Sequence, residues 1–293
     1  RAVLLYGGVQ SSLYTSMTDG NSRSEAYNEE ASAYCYIGSR PPNHDSVIIG
    51  WDDDYPKEKF KARVNGNGAF ICMNSWGDDF GDRGFFYVSY YDSNIGMDNL
   101  VYTKVEPADN YSRIYQSDLR GWAGQLGYDS ETVWFSNVYE AGSRQQLKAA
   151  GFYATGISTE YEAYVVHHVG KEAEIAKAAG IAEGAEEPVG DLGRRVLAAQ
   201  GSLVYSGFYT IPFTKISEKD LYLEPGERFA VIVKLTTPGT VHPAAVEFDN
   251  GDGRTFVDIS DGEGYISSDG RTWERVEEKE NCNLCLKAYT KDR

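Results

Sequence analysis

The sequence predicts a mostly β protein built as two units, and three observations carry that prediction. Its 293 residues hold 22 tyrosines and 31 glycines but only 3 methionines, a composition suited to half-buried strand faces joined by many turns. Short β-branched or aromatic runs recur along the chain, separated by turn residues. One polar, proline-bearing stretch, Glu106-Pro-Ala-Asp-Asn110, divides those runs into two sets. At roughly 100 to 200 residues per domain, the length accommodates both.

The chain opens Arg1-Ala-Val-Leu-Leu-Tyr-Gly-Gly8, read as the tail of a helix stopped by its glycines. So short a helix needs a partner surface, and further sequence is expected upstream. Val9 to Tyr14 reads as a strand and Thr15 to Ala31 as a polar loop. Strands follow at Ser32 to Ile37, Asp45 to Trp51, Ala69 to Asn74, Gly84 to Tyr91 and Leu100 to Val105. Beyond the linker a second β region begins near Val133. Its strands are expected at Leu147 to Thr155, Ala163 to Val169, Leu203 to Phe213, Arg228 to Leu235, Ala244 to Phe248 and Leu284 to Tyr289. Turns such as Asn250-Gly251 and Asp269-Gly270 suit an antiparallel sandwich. Lys171 to Gln200, rich in Ala, Glu and Gly, is expected to be a helical or flexible excursion.

Charge narrows the function. Lys plus Arg is 28 and Asp plus Glu 44, a formal net charge of −16, which argues against nucleic acid or an anionic membrane as partner. The apolar runs, Val47 to Ile49 and Phe229 to Val233 among them, fall far short of the ~20 residues of a membrane span. Four cysteines, at 35, 72, 282 and 285, make no disulfide framework, and Cys282-Asn-Leu-Cys285 lacks the second half of a zinc site.

The residues that carry chemistry lie in the first region. Asn43-His44-Asp45-Ser46-Val47-Ile48-Ile49-Gly50-Trp51 sets a histidine at the mouth of an apolar strand. Phe70-Ile-Cys-Met-Asn74-Ser-Trp76-Gly77 ends a second apolar strand in an asparagine and a tryptophan. Adjacent strands ending at one rim would bring His44 and Asn74 together. An imidazole acting as a base needs its other nitrogen held by an acceptor, and an amide oxygen does that without adding charge. These two segments, the second continuing Asp-Asp-Phe-Gly-Asp-Arg-Gly-Phe-Phe, resemble the histidine and asparagine motifs of papain-like cysteine peptidases. Trp51 to Phe60 resembles the loop that follows the histidine in clostridial members. The resemblance covers residues 1–106 and implies the right-hand, β-barrel half of an α+β parent fold. His44 would be the general base, Asn74 its orienting partner and Trp76 the shield over their hydrogen bond. Gly77, Gly81 and Gly84 would serve turns, and Phe80 stands where many members carry a second tryptophan.

One part of the family pattern is absent from these residues: the helix-borne Gln…Cys-Gly-Ser-Cys-Trp type of motif that supplies nucleophile and oxyanion hole. Cys72 and Cys35, on strands, read more simply as small core residues, and Cys282 and Cys285 as strand residues on opposite faces. The nucleophile is therefore expected on a separate, N-terminal half of the peptidase domain, with this chain inactive alone. His167, His168 and His242 read as structural histidines. Asp52, Asp53 and Asp54 form a solvated acidic loop, with a structural calcium ion as the alternative; for Asp249-Asn-Gly-Asp252-Gly-Arg254 a hairpin turn is preferred to a calcium loop. No cofactor is needed for the catalysis implied.

Residues 112–293 hold weaker patterns, among them Phe135-Ser-Asn-Val138, Leu223-Glu-Pro-Gly-Glu-Arg-Phe-Ala-Val231 and Ser267-Ser-Asp-Gly-Arg-Thr-Trp273. They are similar to a lectin-like β-sandwich domain that follows papain-like domains in some clostridial cell-wall peptidases. Trp134, Tyr222, Tyr265 and Trp273 could stack on sugar rings, although aromatics in a sandwich are more often core. The combined resemblance implies an extracellular or cell-surface thiol peptidase acting on polypeptides, with cell-wall carbohydrate as a further partner. The competing expectation is a carbohydrate-binding or adhesive protein with a degenerate peptidase domain.

Overall fold

A computed structural model describes residues 1–170, 190–249, 251 and 256–293. The chain divides into two compact units, Arg1–Glu106 and Pro107–Arg293, and strands dominate both.

In the first unit a short helix, α1 (Ala2–Tyr6), stops at Gly7, whose φ of 88° is open to glycine at no steric cost. The strands are β1 (Val9–Leu13), β2 (Tyr27–Asn28), β3 (Ala33–Tyr34), β4 (His44–Asp52), β5 (Ala69–Met73), β6 (Phe85–Ser89) and β7 (Met97–Leu100). They form one sheet in the order β2-β3-β6-β5-β4-β1-β7. All pairs are antiparallel except β3 with β6. Leu13, Tyr34, Ile48, Cys72, Phe80, Phe86 and Val88 make its main core cluster. Register matters for the site: β1 runs against β4 so that Leu13 faces His44, and β5 runs against β4 so that Met73 faces Val47.

Two strand expectations here are corrected. The Ser32 to Ile37 run keeps only two ladder residues, because the Asp92 carboxylate accepts the Tyr36 backbone N–H at 2.7 Å and draws the chain out of the ladder. The last strand lies at Met97–Leu100 rather than Leu100 to Val105. Its partner β1 begins at Val9, and the final pair, Gln10 with Leu100, leaves nothing for later residues to bond.

The second unit holds β8 (Arg113–Tyr115), β9 (Gly124–Leu126), β10 (Thr132–Glu140), β11 (Gln145–Ala154), β12 (Thr159–His167), β13 (Val196–Leu203), β14 (Gly207–Pro212), β15 (Tyr222–Leu223), β16 (Arg228–Thr236), β17 (Ala244–Phe248), β18 (Gly264–Ser267), β19 (Glu274–Arg275), β20 (Cys282–Leu284) and β21 (Leu286–Asp292). A six-stranded sheet, β13-β12-β16-β10-β18-β19, packs on a five-stranded partner sheet ordered β14-β11-β21-β8, with β15 also paired to β11. Val133, Phe135, Ala163, Val165, Val231 and Val233 from the first meet Leu147, Phe152, Leu286 and Ala288 from the second in one core cluster. This is a β-sandwich. The continuous apolar run Phe229 to Val233 is explained by a second cluster on the outer side of the six-stranded sheet, where Ala230 and Ile232 pack with Trp134, Val166, Tyr265 and Trp273.

Of the expected excursion Lys171 to Gln200, residues 171–189 lie outside the described residues. At its end Gly190–Arg194 is a short 3-10 helix, and from Val196 the chain is strand, β13, paired with β12. Leu203 to Phe213 is likewise two strands, broken before Gly207. Asn250 and Asp252 to Arg254, the core of the proposed hairpin or calcium loop, lie outside the described residues.

Candidate active site

The β4 strand presents His44 at its first residue, and Asn74 follows directly on the last residue of β5. Their side chains meet: His44 Nε2 lies 2.9 Å from Asn74 Oδ1. The amide orientation is fixed independently, since the Ser75 backbone N–H donates to the same Oδ1 at 2.8 Å. A backbone N–H can only donate, so that atom is the oxygen. An amide oxygen can only accept, so Nε2 of a neutral His44 carries the hydrogen, and Nδ1 keeps its lone pair.

Trp76 covers this contact. Its ring lies 4.9 Å from the His44 ring, tilted by 31°. Behind it Phe80 packs edge-on at 5.0 Å and passes the contact to Phe86 in the core. Phe80 is thus the buried buttress of Trp76. The loop between Asn74 and β6 folds back tightly, with Asn74 N–H donating to Gly84 O and Gly84 N–H to Phe80 O. Gly77, Gly81 and Gly84 all have positive φ, and a Cβ on Gly81 would collide with the Phe85 carbonyl.

A residue that sequence reasoning passed over holds the other side. The Asn43 side chain accepts from Thr15 N–H at 2.8 Å and donates to Thr15 O at 2.9 Å. This pair of hydrogen bonds ties the approach to His44 onto the chain just after β1. The signal available in the sequence was the pair Pro41-Pro42 just ahead, which holds the incoming chain extended and off the helix region.

All four cysteines are free thiols and buried. Burial pushes the Cys72 thiol up to about 12, and burial together with the nearby Asp92 carboxylate pushes Cys35 up to about 11. Burial and the Glu277 charge raise Cys282 to about 12, and burial raises Cys285 as well. A thiol that does not ionise near neutral pH is a poor nucleophile.

The remaining residues singled out from sequence are spread through the molecule. His167 is held at both nitrogens, Nδ1 2.6 Å from Glu227 Oε1 and Nε2 2.8 Å from the Asp220 carbonyl. His168 lies 3.7 Å from the same carboxylate and His242 3.5 Å from Asp129. In the acidic loop, Asp53 accepts from the Tyr90 hydroxyl at 2.7 Å and Asp52 from the Asp54 N–H at 3.0 Å. Among the described residues no group of three or more His, Cys, Asp or Glu is arranged to hold a metal ion, and no helix is long and apolar enough to cross a membrane. Trp134, Tyr265 and Trp273 are core, and Tyr222 lies under the Arg293 guanidinium.

Comparison with known proteins adds to this geometry. Residues 13–105 match the papain family of cysteine proteases, and residues 114–290 match a lectin-like domain. No curated protein matches the chain. Two solved structures align with all of it at 25% identity. One is that of the cysteine protease and lectin-like domains of Cwp84, a surface-layer-associated protein of Clostridium difficile, with a TM-score of 0.73. The other is the clostridial cysteine protease Cwp84 after propeptide cleavage, with a TM-score of 0.76. The chain spans 60% of the length of the first and 67% of the second.

Proposed function

The chain belongs to the lectin-like domain family through residues 114–290 and carries a papain-family cysteine protease domain over residues 13–105; from that premise we propose that it supplies the base-bearing part of a thiol peptidase acting at the cell surface. The observation that carries this reading is the 2.9 Å contact of His44 with Asn74 under the Trp76 ring. With Nε2–H engaged by the amide, His44 Nδ1 takes the proton of a cysteine thiol. The resulting thiolate attacks the scissile carbonyl carbon, and the imidazolium returns its proton to the leaving amine, giving a thioester. Water, deprotonated by the same Nδ1, then releases the carboxylate product and restores the thiol. Asn74 and Trp76 hold the ring but do not touch the reacting atoms, and so act as positioning residues.

In this reading the nucleophile is not among the four cysteines present, which are buried and hard to ionise. It belongs to another part of the peptidase domain, and these 293 residues are inactive alone. The surface-layer association of Cwp84 supports the cell-surface assignment. A second reading, an adhesive glycan-binding protein whose peptidase domain is degenerate, is favoured by the lectin-like match covering most of the chain.

A fluorogenic-peptide assay separates the two readings. It compares this chain, this chain completed with a cysteine-bearing peptidase half, and the completed protein with His44→Ala. Activity only in the second sample supports the peptidase. Activity in the first would place the nucleophile among the present cysteines, and none in the second would leave the adhesive reading.

A further inference from the structure

The loop from β4 to β5 carries Asn65-Gly66-Asn67-Gly68, two asparagine–glycine steps in succession. A glycine has no Cβ to screen its backbone nitrogen, so that nitrogen can reach the amide carbon of the side chain just before it. Whether it does so depends on what holds the two groups. The third such step in the chain, Asn250-Gly251, has its asparagine outside the described residues.

At Asn67-Gly68 both groups are tied. Asn67 Oδ1 accepts the Lys57 N–H at 3.2 Å, and the Gly68 N–H donates to the Tyr55 carbonyl at 2.9 Å. Gly68 is buried as well. Its nitrogen can attack only after two hydrogen bonds have opened. At Asn65-Gly66 that protection is missing: among the described residues no hydrogen bond holds the Asn65 side chain or the Gly66 N–H. Asn65 and Asn67 are both exposed, so exposure does not separate them and the hydrogen bonds do. The open step lies between two anchors. On one side Ala62 and Val64 pack against the cluster of Tyr55, Phe60 and Ala69, and on the other are the Asn67 and Gly68 bonds.

We propose that Asn65 is a site of spontaneous deamidation, a covalent modification that consumes water and needs no enzyme or cofactor. The Gly66 nitrogen gives up its hydrogen and bonds to the Asn65 side-chain amide carbon; the bond from that carbon to Nδ2 breaks, and ammonia leaves with the proton. The product is a five-membered succinimide. Water then adds to one of its two carbonyl carbons, and the bond from that carbon to the Gly66 nitrogen breaks. Opening at the side-chain carbon gives aspartate, whereas opening at the main-chain carbon gives an isoaspartyl residue whose backbone is longer by one methylene. Nothing is oxidised or reduced: one asparagine and one water become one carboxylate and one ammonium ion. The net charge of −16 becomes one unit more negative. His44 begins β4 and Asn74 follows the end of β5, so the loop joins the strand ends remote from the candidate active site. The proposal therefore does not depend on the peptidase reading.

The test follows the wild-type chain over time at pH 8, in buffer and in guanidinium, by peptide mass spectrometry. Fragmentation locates each amide-to-acid change and distinguishes aspartyl from isoaspartyl products. In buffer, Asn65 is expected to convert first, to a mixture of the two. Asn67 should lag by about tenfold or more, because its step must first break two hydrogen bonds. In guanidinium that protection is gone, and the two asparagines should convert at similar rates. Asn65→Gln should remove the early product and leave Asn67 as slow as before. An Asn65 that stays intact in buffer while the unfolded chain converts would overturn the proposal. So would an Asn67 that keeps pace with Asn65 in buffer, or a tenfold lag that persists in guanidinium, which would put its cause in the sequence alone.

Discussion

At the scale of single residues, the catalytic proposal rests on how one imidazole is held. Asn74 Oδ1 receives both His44 Nε2–H and the Ser75 N–H, so removing the amide frees the ring to rotate. In the completed, active peptidase, Asn74→Ala is expected to lower kcat by about 100-fold with little change in KM, because the reacting geometry tolerates little misplacement. His44→Ala should cost about 100- to 10,000-fold. The thiols give a check that needs no activity. With Cys35 raised to about 11 and Cys72 and Cys282 to about 12, the four buried cysteines should ignore Ellman's reagent at pH 8 in the native chain. All four should react once guanidinium unfolds it. A cysteine that titrates natively would bring the nucleophile back into these residues.

Among the elements, the ties between strands decide what the sheets can hold. Lys287 on β21 reaches the Asp118 carboxylate at 2.8 Å and the Asp118 carbonyl at 3.0 Å, both groups largely buried. Lys287→Met would leave a buried carboxylate without its counter-charge, at a cost of about 3 kcal/mol in chemical denaturation at pH 7. Burial already raises the Asp118 carboxyl above the usual range, against the lowering effect of Lys287. Losing Lys287 raises it further. A group raised in the folded state contributes stability that is present at low pH and lost as pH rises through its folded value. The difference between variant and wild type should therefore shrink on acidification, and a constant difference from pH 7 to pH 5 would count against the ion pair. The same elements show what was legible in sequence. Arg228–Thr236 was readable because a long run rich in β-branched residues in a central strand announces itself, and Ala244–Phe248 because it is a short apolar run bounded by turn residues. Arg113–Tyr115, Gly124–Leu126 and Glu274–Arg275 were not, being two- or three-residue edge pieces whose ladder is set by their neighbours. Gly264–Ser267 was hidden because its Tyr265 and Ile266 sit among glycines and serines. His44 and Asn74 were legible as a pair because each ends an apolar strand, whereas Asn43 was not, since its partners are backbone atoms of Thr15.

At the scale of the whole molecule, the two units have their own cores, and this carries an expectation of separability. Residues 112–293 expressed alone are expected to fold with a cooperative thermal transition and a β-type circular dichroism spectrum. A molten or aggregated product would show that this division of the chain is not one of stability. The tryptophans give the same chain a second, optical description. Trp134 lies under the Arg195 guanidinium at 4.3 Å, and Trp273 is buried with it in the second unit, while Trp76 in the first unit faces the His44 imidazole at 4.9 Å. A protonated imidazole quenches an indole that it touches. Trp76 is thus a built-in lamp on the candidate base: with the two rings in contact, His44→Ala should change the Trp76 part of the emission, and Trp76→Phe should remove the difference. The seating of one side chain becomes readable from the light of its neighbour, without substrate, inhibitor or nucleophile.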